Sequence, residues 1–114
     1  MQIDRTALGE DVTRLTLVGR LDINGAAVAE IPIGLAAKAS RGLIIDMSQV
    51  SFVASLGVRH LIMAAKTLDR RGGKLVLFAV VDPVAEVLET MGVSDLIPMA
   101  ASEADALDMV GQAS

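Results

Sequence analysis

The sequence predicts an α/β fold, a mixed sheet of four to five strands covered by about four helices. Apolar runs of strand length alternate along the chain with segments of helical periodicity, in the order β-β-α-β-α-β-α-β-α. The runs Gly42–Asp46 ("GLIID") and Lys74–Val80 ("KLVLFAV") are apolar almost throughout, as expected of strands covered on both faces. The 114 residues, 53% of them hydrophobic, suffice for one core without disulfide staples, so positions 1–114 are read as a single domain.

Each element has its own signal. Ile3–Leu8 and Val12–Val18 are β-prone runs joined through Gly9-Glu10-Asp11, which reads as a hairpin, and Gly19–Asp22 is expected to leave the sheet. Asn24–Lys38 reads as a helix with Val28, Ile31, Leu35 and Ala39 at helical spacing. Pro32 lacks a backbone donor and clashes with the preceding turn, so a kink or break is expected near Ile31. After the strand Gly42–Asp46, Ser48–Ala54 reads as a connector. Leu56–Arg71 is a helix whose Val58, Leu61, Ile62, Ala65 and Leu68 form one apolar stripe, stopped by Gly72-Gly73. Asp82 and Pro83 read as N-cap and first residue of a helix running to Met91 and ended by Gly92. A short strand around Leu96-Ile97 precedes a last helix from Ser102, where Ser-Glu-Ala-Asp resembles a capping box.

Composition narrows the chemistry. No cysteine is present and there is one histidine, which removes thiolate nucleophiles, disulfides and any multi-histidine metal site within one chain. Neither a metal nor another cofactor is expected. The net charge of −4, with no Trp or Tyr and only two Phe, argues against nucleic-acid binding. The N-terminus lacks the layout of a signal peptide and no apolar run approaches the roughly 18 residues of a bilayer span, so a cytoplasmic protein without membrane insertion is expected. Carboxylate pairs and activated nucleophiles do not converge, so an enzyme is not expected. The methionines 63, 91, 99 and 109 either fill core gaps or belong to a partner surface.

The stretch "SFVASLGVRH", positions 51–60, raises the functional question. A serine at a helix start is either a cap or a place where a phosphate is tolerated, because the first backbone N–H groups of a helix lack intrahelical partners. His60 follows Ser55 on the same helix, five residues on, and lies off the apolar stripe, which suits a solvated or partner-facing residue better than a general base. Arg59 and Met63, four apart, share a face of that helix and could meet a partner together.

Three segments carry a family resemblance: Gly19-Arg20-Leu21-Asp22, then Leu43 through Val58, then Gly72-Gly73-Lys74-Leu75-Val76-Leu77. In order and spacing they resemble the STAS domain of bacterial anti-sigma factor antagonists, and the likeness covers essentially the whole chain. Ala54 stands where the family motif usually has aspartate, Leu56 where it has a second small hydroxyl residue, and Arg20 where it has glutamate. The resemblance implies a STAS fold and a protein that acts by partner switching. In its unmodified form it would bind an anti-sigma factor serine kinase and release a sigma factor; phosphorylation would reverse this, and a PP2C-type phosphatase would restore it. Ser55 matches the phosphorylated serine, Gly57 the glycine after it, and Asp22 the aspartate of the neighbouring loop. Ala54, Leu56, Arg59, His60 and Met63 are expected around them on the partner-binding surface, which a second copy of the chain, as a homodimer, could also occupy. A second use of the same fold, as a STAS subunit of a phospholipid-transport or stress-sensing complex, stands as the alternative.

Overall fold

The computed structural model describes residues 1–111. Strand β1 (Gln2–Ala7) turns back on β2 (Val12–Leu21) as the antiparallel hairpin that the two runs predict. The chain then follows β-α crossovers: α1 (Ile23–Ala39), β3 (Gly42–Val53), α2 (Ser55–Arg70), β4 (Lys74–Phe78), α3 (Asp82–Thr90), a short 3₁₀ turn at Val93–Asp95, β5 (Met99–Ala100) and α4 (Glu103–Gly111). The sheet order is β1-β2-β3-β4-β5, and every pair after the hairpin is parallel.

Two cores flank this sheet. On one side α1, α2 and α3 send Ala29, Ile33, Val58, Leu61, Val84 and Leu88 into a cluster with Leu15, Leu17, Leu43 and Ile45. On the other, Ala106 and Val110 of α4 cover Ile44, Val76 and Phe78. The central strands are therefore buried on both faces, which is why they read as continuous apolar runs. Arg14 Nη1 donates to Glu103 Oε1 at 2.6 Å, tying the start of α4 to β2.

Several boundaries differ from the sequence reading. β2 continues through Gly19 and Arg20 to Leu21, so this segment stays in the sheet. β3 runs on to Val53 where a connector was expected. Its pairing with β2 steps from Thr16↔Asp46 to Val18↔Gln49, then from Gly19↔Val50 to Arg20↔Phe52, so β3 carries one extra residue at each step. These two bulges place Met47, Val50 and Val53 inward at intervals of three, which hides the alternation that marks a strand. The end of the sheet is also shifted: Leu96-Ile97 follows the 3₁₀ turn and the strand is Met99–Ala100. α3 is capped at Val81, with Asp82 as its first residue, one position earlier than expected. Ser102 does cap α4, accepting from the Asp105 N–H at 3.2 Å.

α1 departs most. It passes through Pro32 without a break, and its buried residues are Gly25, Ala26, Ala29, Ile33, Ala36 and Ala37. Val28, Ile31, Leu35 and Ala39, the residues at helical spacing in the sequence, lie on its exposed side. Small residues let the helix approach the core closely, and that packing offsets the roughly 3 kcal/mol that an internal proline costs.

Candidate functional site

Two helices begin side by side at one end of the sheet. Leu21 and Val53, the last residues of β2 and β3, are register partners, and the Ala54 N–H donates to the Leu21 carbonyl at 2.9 Å. α1 and α2 therefore start at the carboxyl ends of adjacent parallel strands, on the same face of the sheet.

The two starts are built differently. Asp22 caps α1, its Oδ1 accepting from the Gly25 N–H at 2.8 Å. Its other oxygen lies 3.7 Å from Arg20 Nε, and the Arg20 guanidinium stacks 4.3 Å above the centroid of the exposed Phe52 ring. At α2 the cap position is Ala54, which offers no side-chain oxygen, and Ser55 is the first helical residue. Ser55 is exposed and its hydroxyl makes no hydrogen bond with the described residues. Of its two sequence readings the cap is thus excluded: the helix starts one residue earlier than the serine would need.

Gly57 fixes how α2 leaves the sheet. A Cβ at this position would stand 2.6 Å from Leu21 Cγ and 3.1 Å from the Leu21 carbonyl oxygen, so glycine lets the first turn rest on the end of β2 without displacing the Leu21 side chain. Leu56 is half-buried beside it. Along the outer side of α2, Ser55, Arg59, Met63 and Lys66 line a shallow depression of about 470 Å³ that Met91, after the end of α3, completes. Arg59 and Met63 share this exposed surface with Ser55, as their spacing predicted. Met63 and Met91 are exposed, whereas Met99 and Met109 are half-buried.

His60 does not join them. It is buried, and it lines a second groove, between α1 and α2, with Ile31, Leu35, Met63 and Thr67. Of the two readings of His60, solvated or partner-facing, burial removes the solvated one, and the cause is a rotation of the buried stripe. Because α2 is covered by α1 as well as by the sheet, Gly57, His60 and Ala64 turn inward with Val58, Leu61 and Leu68, while Ile62 and Ala65 are only half-buried. The His60 Nε2 has no hydrogen-bond partner.

The sequence reading missed Phe52 as a site residue and left Met91 open between a core filler and part of a partner surface. Phe52 carried a usable signal, being one of two aromatic residues in the chain and next to the serine stretch. Met91 takes the second of its two readings, since it stands exposed in the depression after the end of α3. Among the described residues no group of three His, Cys, Asp or Glu side chains could hold a metal ion, and no helix is long and apolar enough to cross a membrane.

With this geometry in hand, the comparisons converge. The profile of the STAS domain family matches residues 6–106. BtrV of Bordetella bronchiseptica, provisionally named an anti-sigma factor antagonist, is 30% identical over 83 residues, covering 70% of this chain and 72% of BtrV. Among solved structures, the anti-sigma factor antagonist SpoIIAA in its unphosphorylated form superposes with a TM-score of 0.83 at 22% identity, over 97% of each chain. The phosphorylated form of the Bacillus SpoIIAA superposes with a TM-score of 0.74 at 22% identity, over 96% of this chain and 99% of that one. The chain that sets Ser55 at the uncapped start of α2 belongs to the STAS domain family of bacterial anti-sigma factor antagonists.

Proposed function

We propose that this protein is a partner-switching antagonist whose switch is Ser55. Unmodified, it binds an anti-sigma factor serine kinase through the surface of Ser55, Arg59 and Met63, with Asp22, Ala54, Leu56 and Gly57 shaping its upper edge; the sigma factor held by that kinase is thereby released. Phosphorylation of Ser55 weakens the complex, and a PP2C-type phosphatase restores it. The kinase and phosphatase supply the chemistry, and this chain is their substrate.

The observation that carries the reading is the exposed, unbonded hydroxyl of Ser55 on the first residue of a helix with no side-chain cap. A phosphoryl group there adds about −1.5 to −2 charges at neutral pH. The free N–H groups and positive end of α2 accept that charge without disturbing the fold. A partner surface packed over the same spot meets repulsion and desolvation instead, so the switch is a local electrostatic event. That BtrV is provisionally named an anti-sigma factor antagonist and that SpoIIAA is known in both phosphorylation states support the reading.

The test is intact-mass spectrometry after incubation with ATP, magnesium and a candidate anti-sigma kinase, for the wild type and Ser55→Ala. One added phosphate on the wild type and none on the variant is the expected result. Phosphate on both proteins would move the switch to another residue. If no kinase of the host either modifies or binds the protein, partner switching gives way to a subunit role in a larger complex.

A further inference from the structure

Helix α1 is predominantly apolar, its polar side chains being the exposed Asn24, Glu30 and Lys38. Its inward face is alanine, glycine and Ile33, while its outward face carries Ile23, Val28, Ile31 and Leu35 at 70%, 53%, 69% and 55% exposure. An outward helix face with this much apolar surface is normally covered by a partner. The outward face adjoins the groove between α1 and α2, about 530 Å³, whose far wall holds Met63 at 56% exposure and whose lining includes the buried His60 with its unpartnered Nε2. A large exposed apolar patch and a buried polar atom lacking a partner are both features of a surface that is completed by association.

We infer that this face is covered by a second copy of the chain, in a two-fold homodimer built on antiparallel α1 helices. This goes beyond the proposed switch and does not depend on it. The pattern of sizes supports self-association. With the dyad at Ile31, whose side chains meet across it, Leu35 of one copy comes level with Ala27 of the other and Val28 with Gly34, so the large side chains that flank the dyad meet small ones. A Cβ at Gly34 would touch nothing within 4 Å in the single chain, so this glycine is not required by the monomer's own packing. Asn24 of one copy comes level with Lys38 of the other at the ends of the seam, and the exposed Glu30 lies beside the dyad, where it lines the groove at the flank of the seam. The exposed apolar side chains of α1 and Met63 offer on the order of 500 Å² per copy, so two copies bury about 1,000 Å², the size at which specific interfaces begin. An interface of that size suits a reversible dimer.

Sedimentation velocity across a concentration series tests this, with the variants Ile31→Glu/Leu35→Glu and Ile31→Cys. The wild type is expected to approach about 24 kDa, twice the 11.9 kDa chain, as concentration rises, and the double variant to stay near 12 kDa with an unchanged circular dichroism spectrum. Because the chain has no cysteine, Ile31→Cys gives a clean second reading: under mild oxidation it should form a covalent dimer, and Glu86→Cys on α3 should not. A wild type that stays at 12 kDa up to several hundred micromolar overturns the proposal. So does a dimer that survives the double variant, or equal cross-linking at positions 31 and 86.

Discussion

The N-terminal turns of α1 and α2 are near twins set to different uses. Both helices spring from the end of a parallel strand, and both have glycine as their third residue, Gly25 and Gly57, pressed against the end of β2. At Gly25 an added Cβ would collide with the Arg20 carbonyl; at Gly57 it would meet mainly the Leu21 side chain. The α1 turn is closed by Asp22, whereas the α2 turn has no side-chain cap and presents Ser55. One helix start is thus closed by its own side chain and the other is left open; under the proposed switch, a capping side chain on α2 would compete with an arriving phosphate for the first N–H groups.

Substitution at the two glycines should separate the starts most widely. Gly25→Ala is expected to destabilise by about 3 kcal/mol or more, since its obstacle is backbone, and Gly57→Ala by roughly 1–2 kcal/mol, since the Leu21 side chain can shift. Chemical denaturation of both variants checks this, and equal losses would show that the two turns are packed alike. Next in size is the cap. Asp22→Ala should cost about 1 kcal/mol, while Ala54→Ser, which places a hydroxyl at the vacant cap position, should stabilise by about 0.5–1 kcal/mol. A destabilising Ala54→Ser would mean that α2 does not begin where described. Ser55→Ala should change stability by less than about 0.5 kcal/mol, because its hydroxyl has no bond to lose. Last, Arg59→Glu should weaken kinase binding about tenfold with a melting temperature within a degree or two of the wild type, read by calorimetric titration and thermal melting. A large fall in melting temperature would return Arg59 to a structural role.

Much of this was legible where one physical signal dominated. The amphipathic core stripe of α2, the hairpin, and the apolar runs of β3 and β4 all follow from periodicity and turn chemistry. Legibility failed where two effects compete. At Pro32 the local penalty predicts a break, but packing of the alanine face against the core outweighs it. In β3 the extra residues shift Met47, Val50 and Val53 to a spacing of three, so the strand's second half carries no period-two signal. His60 was misplaced because a one-dimensional stripe assumes one covering surface, and α2 has two. At the proposed site, the position of Ser55 at the start of α2 was readable from motif spacing, yet whether the serine capped its helix rested on a one-residue boundary that spacing does not define.

Arg71, just beyond α2, has its Nη1 donating to the carbonyls of Ala37 and Ser40 at 2.8 and 2.7 Å, which fastens the far end of α1. At the near end both helices rest on Arg20 and Leu21, so the pair is lashed at each extremity like two planks of a deck. A device built this way stores no slack. Under the proposed switch, its message to a partner would be written on the surface, as charge added at one hydroxyl, and not by any bending of the page.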